Sequence, residues 1–516
     1  MLLRNKLAFF KVNIFVGLLS LAFNGHATDY WVMKSGNDAN GCSNATNDAC
    51  LTIQKGVSQL VAGDTLNVGA GIYDGDGGAS QFKPSGTFCG WLDSEPASSN
   101  VCVAIDGTKE SPIVIQAAPG NEGEVVVDAG GNKVGFHLQN SDYIGIRGFK
   151  IINSRTAGIA SWGQPENNVA DESRLSIGVV IENNSIVNTT GAKGKNTSAI
   201  ALWGTKDWVV RNNLIDGVSN GGGTVASGLQ SYGVINALVE NNQIMNVDSG
   251  IYWKDHFIAD VTTRTSVFES EIRYNLIESR DRGVNLGIKG SNTVEVGDNH
   301  IHHNIIYGFG GAAAGVHVAS AGAFSVGGRI VVENNILDGR SNSSSGISAD
   351  SVDDMRIVGN IIIGTTSVLE LVNYSGSATK RVALSESNYN VYDASGFQIH
   401  ADRYSSSGGS LIYDLADWQK LVESDLMSLD VSNPDRDSIT VNATSLFLSD
   451  VDNGYQFAEG SSATGLMPDG SSAGPYQYGN EIVGLLPGWP AYDSSILPSK
   501  PAAAAAPSGL TVRVIR

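Results

Sequence analysis

The chain has 516 residues, of which 62 are glycine and 8% are aromatic, and its formal net charge at pH 7 is −19. This acidic balance argues against a nucleic-acid partner, because phosphate backbones are bound by basic surfaces. Abundant glycine with few aromatic residues suits a fold of strands and tight turns.

Residues 1–27 have the pattern of a signal peptide. A basic start precedes an apolar stretch from Val12 to Phe23, and the small residues Gly25 and Ala27 stand at the expected cleavage spacing. No second apolar run in the sequence is long enough to span a bilayer. We therefore predict a secreted protein, extracellular or periplasmic, and expect a soluble monomer without a membrane span.

The four cysteines fall into two close pairs, Cys42 with Cys50 and Cys89 with Cys102. In an exported protein this spacing predicts two local disulfides. The alternative is four free, buried thiols.

A short phrase recurs down the middle of the chain about every 30 residues, which is the signature of stacked structural repeats. It consists of a β-branched run, an asparagine and an aliphatic residue, and its asparagines are Asn184, Asn213, Asn242, Asn275, Asn299, Asn335 and Asn360. Each unit contains two or three Val/Ile-rich runs that alternate with period two, and none shows helical periodicity. These features predict an all-β fold, a right-handed parallel β-helix (solenoid), with the asparagines hydrogen-bonded in a ladder at one turn.

A second motif in the same units, a strand that begins at a small residue, locates a candidate site. Its second and fourth residues should point into the core and its third and fifth outward, because side chains alternate on a strand. The outward positions gather aromatic, amide and basic side chains, which can stack on sugar rings and bond their hydroxyls. They include His137, Gln139, Trp162, Trp203, Gln230, Tyr232, Tyr252, Lys254, Asn285 and His317. Long connections on both sides of this strand predict the walls of a groove for a polymer.

With these repeats the chain resembles the pectate lyase-like superfamily of secreted β-helix proteins. In such proteins a short amphipathic helix caps the first coil, and the stretch from Leu51 to Leu60 resembles that cap. We therefore expect one β-helix domain over residues 28–497, with an irregular closing segment from about residue 388. Residues 498–516 are interpreted as a Pro/Ala linker and a C-terminal stub.

Lys254 is the candidate catalytic base. It is the only lysine or arginine in the outward row, and a long insertion follows it. A lysine base needs a pKa near neutrality, which a neighbouring cation or partial desolvation provides. Arg280, Arg282, Lys289 or a bound metal are the candidates for that role. The alternative is a solvated surface lysine.

On Lys254 the chain resembles the β-helix polysaccharide lyases, namely chondroitinase B-like alginate lyases and one pectate lyase family, in which a lysine of a central coil is the base. The resemblance implies a secreted polysaccharide lyase that cleaves an acidic polysaccharide such as alginate or pectate by β-elimination. Val247 and Ser249 stand where the family has its calcium carboxylates, so Ca²⁺ is left open as a cofactor. Asn285 and Gly287 replace the family's arginine acid.

The remaining roles are assigned from the same row and the residues beside it. The candidates for the acid are Tyr252, His256 and His317, and Asn285 completes the catalytic set. The candidate substrate-binding residues are His137, Trp162, Trp203, Gln230, Tyr232, Arg282 and Lys289.

Two other functions remain open. A glycoside hydrolase needs two carboxylates roughly 5 to 9 Å apart, and Asp350 and Glu370 form the best pair. A non-catalytic carbohydrate-binding or adhesion protein would use the aromatic side chains alone. Fold by itself does not choose among these functions.

Overall fold

The computed structural model describes residues 27–75, 90–91, 97–162, 175–221, 226–254, 268–288, 298–311, 313–320, 326–340, 344–350, 352–372, 382, 384–395, 397–402, 410–421, 435–448 and 455–488. Some of the predicted features therefore lie outside the described ranges. They are the signal peptide before residue 27, the C-terminal stub, Cys89, His256 and Lys289. Within those ranges, no helix is long and apolar enough to cross a membrane.

Almost every element is a short strand, as the Val/Ile-rich runs predict. The first strands are β1 (Asp29–Val32), β2 (Thr65–Val68), β3 (Gly71–Tyr73), β4 (Gly90–Trp91), β5 (Ala97–Val103), β6 (Ile113–Ala117), β7 (Val125–Asp128), β8 (Lys133–Gln139), β9 (Ile144–Arg147), β10 (Phe149–Ile152), β11 (Ala157–Trp162), β12 (Ser176–Ile177), β13 (Val180–Glu182), β14 (Ser185–Thr190), β15 (Thr197–Lys206), β16 (Val209–Arg211) and β17 (Leu214–Ser219). They are followed by β18 (Ala226–Glu240), β19 (Gln243–Lys254), β20 (Phe268–Arg273), β21 (Leu276–Ile288), β22 (Asn299–His302), β23 (Ile305–Tyr307), β24 (Ala314–Ser320), β25 (Val326–Glu333), β26 (Ile336–Asp338), β27 (Ser345–Asp350), β28 (Val352–Val358), β29 (Ile361–Ile363), β30 (Ser367–Val372), β31 (Leu384–Asn388), β32 (Val391–Asp393), β33 (Ile399–Asp402), β34 (Ser410–Tyr413) and β35 (Ile439–Val441). The helices are α1 (Ile53–Val57), α2 (Leu415–Leu421) and a 3₁₀ turn at Ala443–Ser445.

The coils form three parallel sheets, and in the central coils one long strand serves two of them. Sheet A includes β6, β9, β13, β16, β20, β22, β25, β28 and β31. Sheet B includes β7, β10, β14, β17, β23, β26, β29, β32 and β35. Sheet C includes β5, β8, β11, β15, β18, β19, β21, β24, β27, β30 and β33. β18 continues from sheet C into sheet A, and β19 and β21 continue from sheet B into sheet C. The predicted right-handed parallel β-helix is confirmed.

The N-terminal cap is also confirmed. Helix α1 begins after Thr52, whose hydroxyl accepts from the Lys55 amide, and it buries Ile53 and Val57. Those two side chains continue the apolar core over the first coil, where an open solenoid would expose it. Cys42 and Cys50 form a disulfide with a Cα–Cα distance of 4.8 Å. Cys102 is disulfide-bonded as well.

An asparagine ladder runs along the turn between sheets A and B. Its members, each fully buried, are Asn184, Asn213, Asn242, Asn275, Asn304, Asn335, Asn360 and Asn390. From Asn213 onward, each side-chain oxygen accepts from the backbone and side-chain amides of the asparagine one coil earlier, as Asn242 Oδ1 does from Asn213 at 3.0 Å. The first member, Asn184, accepts from the Phe149 backbone amide at 3.1 Å. The sequence placed Asn299 in this ladder, which is wrong. Asn304 occupies the turn, because it alone follows a residue of positive φ, His303 at 57°.

The outer faces of sheets A and B are both occupied. Sheet A carries a column of mostly alternating charge, in register from Arg147 through Glu182, Arg211 and Glu240 to Arg273. Over sheet B, residues 435–448 and 455–488 contribute to a second apolar cluster, which includes Ile305, Ile336, Ile361, Leu446 and Tyr455.

The end of this closing segment runs back along the asparagine turn. The Gly474 amide donates to the Gly359 carbonyl, the Gly484 amide to the Tyr274 carbonyl, and the Leu486 amide to Asn212 Oδ1. These contacts pass backward through the coils, from the one at residue 359 to the one at residue 212. Sheet C is therefore the face left for a site.

A histidine cluster beneath the closing segment predicts an acid-sensitive stability. His302 Nδ1 and His303 Nδ1 lie 2.7 Å apart, so one ring must accept while the other donates. Burial lowers the pKa of His302 to about 4 and lowers that of His303. The unfolded chain therefore binds more protons between pH 6.5 and 4, and stability should fall as pH is lowered through that range.

Thermal unfolding at pH 7 and pH 5 measures this effect. We expect a lower midpoint at pH 5 in the natural protein and a smaller difference in His302→Gln. His400→Gln is the control, since His400 bonds Gln398 at an exposed position. An equal pH dependence in His302→Gln and the natural protein would contradict the assignment.

Candidate functional site

The predicted outward row exists in register on sheet C. His137 pairs with Ala160, Gln230 with Tyr252, and Asn285 with His317. The fifth positions follow the same order, with Trp203 opposite Tyr232 and Tyr232 opposite Lys254. The inward positions alternate as predicted, and Trp253 of the core stands opposite Ser231. Period-two alternation alone sets this arrangement.

The N-terminal half of the row is more deeply buried than an outward position implies. His137 is 0% exposed, and burial lowers its pKa to about 4. Trp203 packs on Ala160 and Ala201 in a small apolar cluster of its own. Tyr232 meets Trp203 edge to face, with ring centroids 4.6 Å apart. Trp203 and Tyr232 therefore pack against each other, and Tyr232 contacts Lys254.

Lys254 lies in a hydrogen-bonded network at the middle of the row. It is 7% exposed. Its amino group donates to Asn196 Oδ1 at 2.7 Å and to the Tyr232 hydroxyl at 3.3 Å. Asn196 Nδ2 donates to the same hydroxyl at 2.7 Å, which closes a triangle. The Tyr232 hydroxyl oxygen accepts hydrogen bonds from both Lys254 and Asn196, so its own proton points away from these two residues. The solvated-lysine alternative does not fit this degree of burial.

Asn196 is the residue that sequence reasoning missed. It lies in the connection that precedes β15, outside both aligned motifs, and reaches Lys254 from 58 positions away in the chain. Its neighbour Lys195 is held through its carbonyl by Asn220 Nδ2 at 3.1 Å. Asn196 belongs to no repeated motif, so the sequence gives no indication that it contacts Lys254. The contact becomes visible only once the coils are stacked.

Tyr252 flanks Lys254 on the opposite side from Tyr232. The Lys254 amino nitrogen is 4.4 Å from the centroid of the Tyr252 ring, within cation–π range. The ring extends over the next coil, where a Cβ added at Gly287 would lie 2.9 Å from Tyr252 Cε2. The glycine therefore provides the space that the ring occupies.

A second polar group follows in the next two coils. Asn285 is 4% exposed, and no described residue gives its Oδ1 a hydrogen bond. Arg282 pairs through Nη1 with Asp281 at 3.0 Å, while its Nε is buried without an acceptor among the described residues. Burial, together with the Arg282 charge, lowers the pKa of His317 to about 4, so its imidazole is neutral at pH 7.

The carboxylate pair of the hydrolase alternative lies on adjacent strands of sheet C. Asp350 stands opposite Val372, at the end of the strand, and Glu370 opposite Ser348. Glu370 accepts a hydrogen bond from the Ser345 hydroxyl at 2.7 Å.

Three predicted residues cannot be placed. Trp162 pairs in register with Gln139, but its side chain lies outside the described structure. His256 and Lys289 fall entirely outside it, as do most of the insertions that would wall the groove. Arg280, offered as a neighbouring cation, instead pairs with Asp248 at 2.9 Å in an exposed position.

The family's calcium carboxylates have no counterpart at the matching positions of β19. Calcium takes six to eight oxygen ligands, with carboxylates among them. Within the described residues, no group of three His, Cys, Asp or Glu side chains could hold a metal. Val247 and Ser249, near Lys254 on β19, provide no carboxylate.

Comparisons with known proteins found similar solved structures at low sequence identity. No protein-family model matches the chain, and no curated protein matches it. In all, 29 chains of solved structure match. A rhamnogalacturonan lyase is 16% identical with a TM-score of 0.47, over 70% of this chain and 87% of that one. A mannuronic acid-specific family 6 polysaccharide lyase from human gut microbiota is 14% identical with a TM-score of 0.43, over 67% and 72%.

The similar structures include a hydrolase as well. A lacto-N-biosidase from Eubacterium ramulus is 12% identical with a TM-score of 0.46, over 80% of this chain and 68% of that one. A fold does not determine a reaction, so the chemistry must be argued from the side chains of sheet C.

Proposed function

We propose that this protein is a secreted polysaccharide lyase that cleaves an acidic, uronic-acid-containing polymer by β-elimination, with Lys254 as the base. The observation that carries the proposal is the Lys254–Asn196–Tyr232 triangle at the centre of the outward row. It fixes the amine between two tyrosine side chains and withdraws it from water. Desolvation disfavours the charged form of an amine. The cation–π contact with Tyr252 favours that form, so the proposal requires desolvation to be the larger effect.

The reaction needs one proton removed and one supplied. Lys254 takes the proton from the carbon next to the uronate carboxyl group, the C–O bond to the neighbouring sugar breaks, and a carbon–carbon double bond forms. The departing oxygen receives a proton from an acid. We assign that acid to Tyr252, which lies beside Lys254 and is only half-buried. Asn196 positions the amine, and no step is assigned to a metal.

Ultraviolet absorbance tests the proposal directly. The mature protein is mixed with alginate, polygalacturonate, and chondroitin or dermatan sulfate, with calcium and with chelator. Growth of absorbance on one polymer reports the new conjugated double bond and identifies a lyase. Release of reducing ends without absorbance would overturn it in favour of hydrolysis, and binding without cleavage would leave the carbohydrate-binding function.

Tyr252→Phe tests the acid. We expect kcat to fall on the order of 10² to 10⁴-fold, the usual contribution of a positioned proton donor, with little change in KM. Gly287→Ala should lower kcat through the same ring, because the added methyl group meets Tyr252 Cε2. Its backbone has no positive φ, so the fold should be kept. A Tyr252→Phe variant with natural kcat would exclude Tyr252 as the acid.

A further inference from the structure

We propose that Arg282, Asn285 and His317 form a second binding subsite, which holds an acidic sugar next to the one that reacts. This inference rests on the proposed function, because it names the sugar that the same row of sheet C would bind beside Lys254. Two buried polar atoms carry it, Arg282 Nε and Asn285 Oδ1, which have no hydrogen-bond partner among the described residues.

These two atoms need opposite partners. The arginine nitrogen is a donor and is satisfied by an anion, whereas the amide oxygen is an acceptor and is satisfied by a hydroxyl group. A uronic acid offers both, a carboxylate and ring hydroxyls. A buried polar atom left unpaired costs roughly 1 to 3 kcal/mol, so a ligand that pairs both atoms recovers that cost.

The position of this subsite along the helix axis matches a sugar next to the reacting one. Asn285 is one coil from Tyr252 in register, and His317 is one coil further. At about 4.8 Å per coil, His317 lies roughly 10 Å along the axis from the Lys254 coil. A polymer lying in a groove along the axis would place its next acidic sugars over these coils.

The charge of the subsite also favours an acid. His317 is neutral at pH 7, since its pKa is lowered to about 4 by burial and by Arg282. Asp281 offsets part of the arginine charge at Nη1. Asp281 bonds Nη1 only, so the Nε edge of the Arg282 guanidinium is left for a second anion. A carboxylate is thereby met by a guanidinium donor and by a neutral ring that can donate or accept.

Binding to a blocked enzyme separates this inference from the reaction. Lys254→Met is titrated by calorimetry with a short uronate oligosaccharide, with its carboxyl-reduced form, and with a sulfated oligosaccharide. When Arg282→Gln is added to the Lys254→Met protein, uronate binding should weaken tenfold or more, and binding of the carboxyl-reduced oligosaccharide should stay unchanged. Asn285→Asp, which adds a repelling charge without changing shape, should do the same. Arg280→Gln is the matched control, because Arg280 is exposed and pairs with Asp248.

The outcomes distinguish the two proposals. Equal weakening for the uronate and its reduced form, no weakening at all, or an Arg282 effect confined to the sulfated ligand would each overturn the subsite. Uronate binding that depends on Arg282 while the natural protein eliminates nothing would keep the subsite and reject the lyase. In an active enzyme, Arg282→Gln should raise KM about tenfold with kcat nearly unchanged.

Discussion

Lys254→Met is expected to abolish elimination, with kcat reduced on the order of 10³-fold or more, because the variant lacks the amine that takes the proton. Methionine keeps an unbranched stem between the two tyrosine rings and removes only the amine. Absorbance growth on the polymer that the natural protein cleaves is the measurement.

Two variants serve as controls for this result. Lys150→Ala changes a lysine on β10 of sheet B, away from the row, and should retain natural activity. Asp350→Asn should also retain it, because Asp350 has no part in elimination. A Lys254→Met protein with more than a tenth of the natural rate, or an Asp350→Asn protein with none, would contradict the lysine base and favour a carboxylate mechanism.

Asn242→Ala is expected to be the most damaging substitution outside sheet C. Asn242 Nδ2 donates to the Val210 carbonyl at 2.9 Å and to Asn275 Oδ1 at 2.9 Å, and its Oδ1 accepts two bonds from Asn213. Alanine leaves several of these buried groups unpaired, at a cost of roughly 3 to 5 kcal/mol in the free energy of unfolding. Denaturant unfolding measures that loss.

The control for the ladder lies four residues away. Asn246 is exposed, has a φ of 55° and donates to Asp216 at 2.7 Å. Asn246→Gly preserves the backbone conformation and should cost about 1 kcal/mol or less. If Asn242→Ala were no more destabilising than Asn246→Gly, the ladder would not be a stabilising feature. Hydrogen exchange would locate the loss, since each coil contacts mainly its neighbours.

The sequence by itself determined the architecture and the composition of the site row. Repetition of one short unit forces each coil onto the next, and period-two alternation decides which side chains enter the core. For this reason the register from His137 to His317 and the pairing of Trp253 with Ser231 could be read in advance. The sequence predicts the ladder except at two places. Asn299 stands in a unit with two asparagines, which makes the alignment ambiguous, and Asn390 lies beyond the recurring phrase.

Only the tertiary structure decided what lies beside each row. Asn196 reaches Lys254 from another coil, and the closing segment covers sheet B, because side chains and irregular segments follow no period. The burial of Trp203 and the hydrogen bond from Ser345 to Glu370 likewise depend on neighbours in space. Local periodicity fixes which way a side chain points, whereas its partner is set by whichever distant residue the stacking of coils brings within hydrogen-bonding distance.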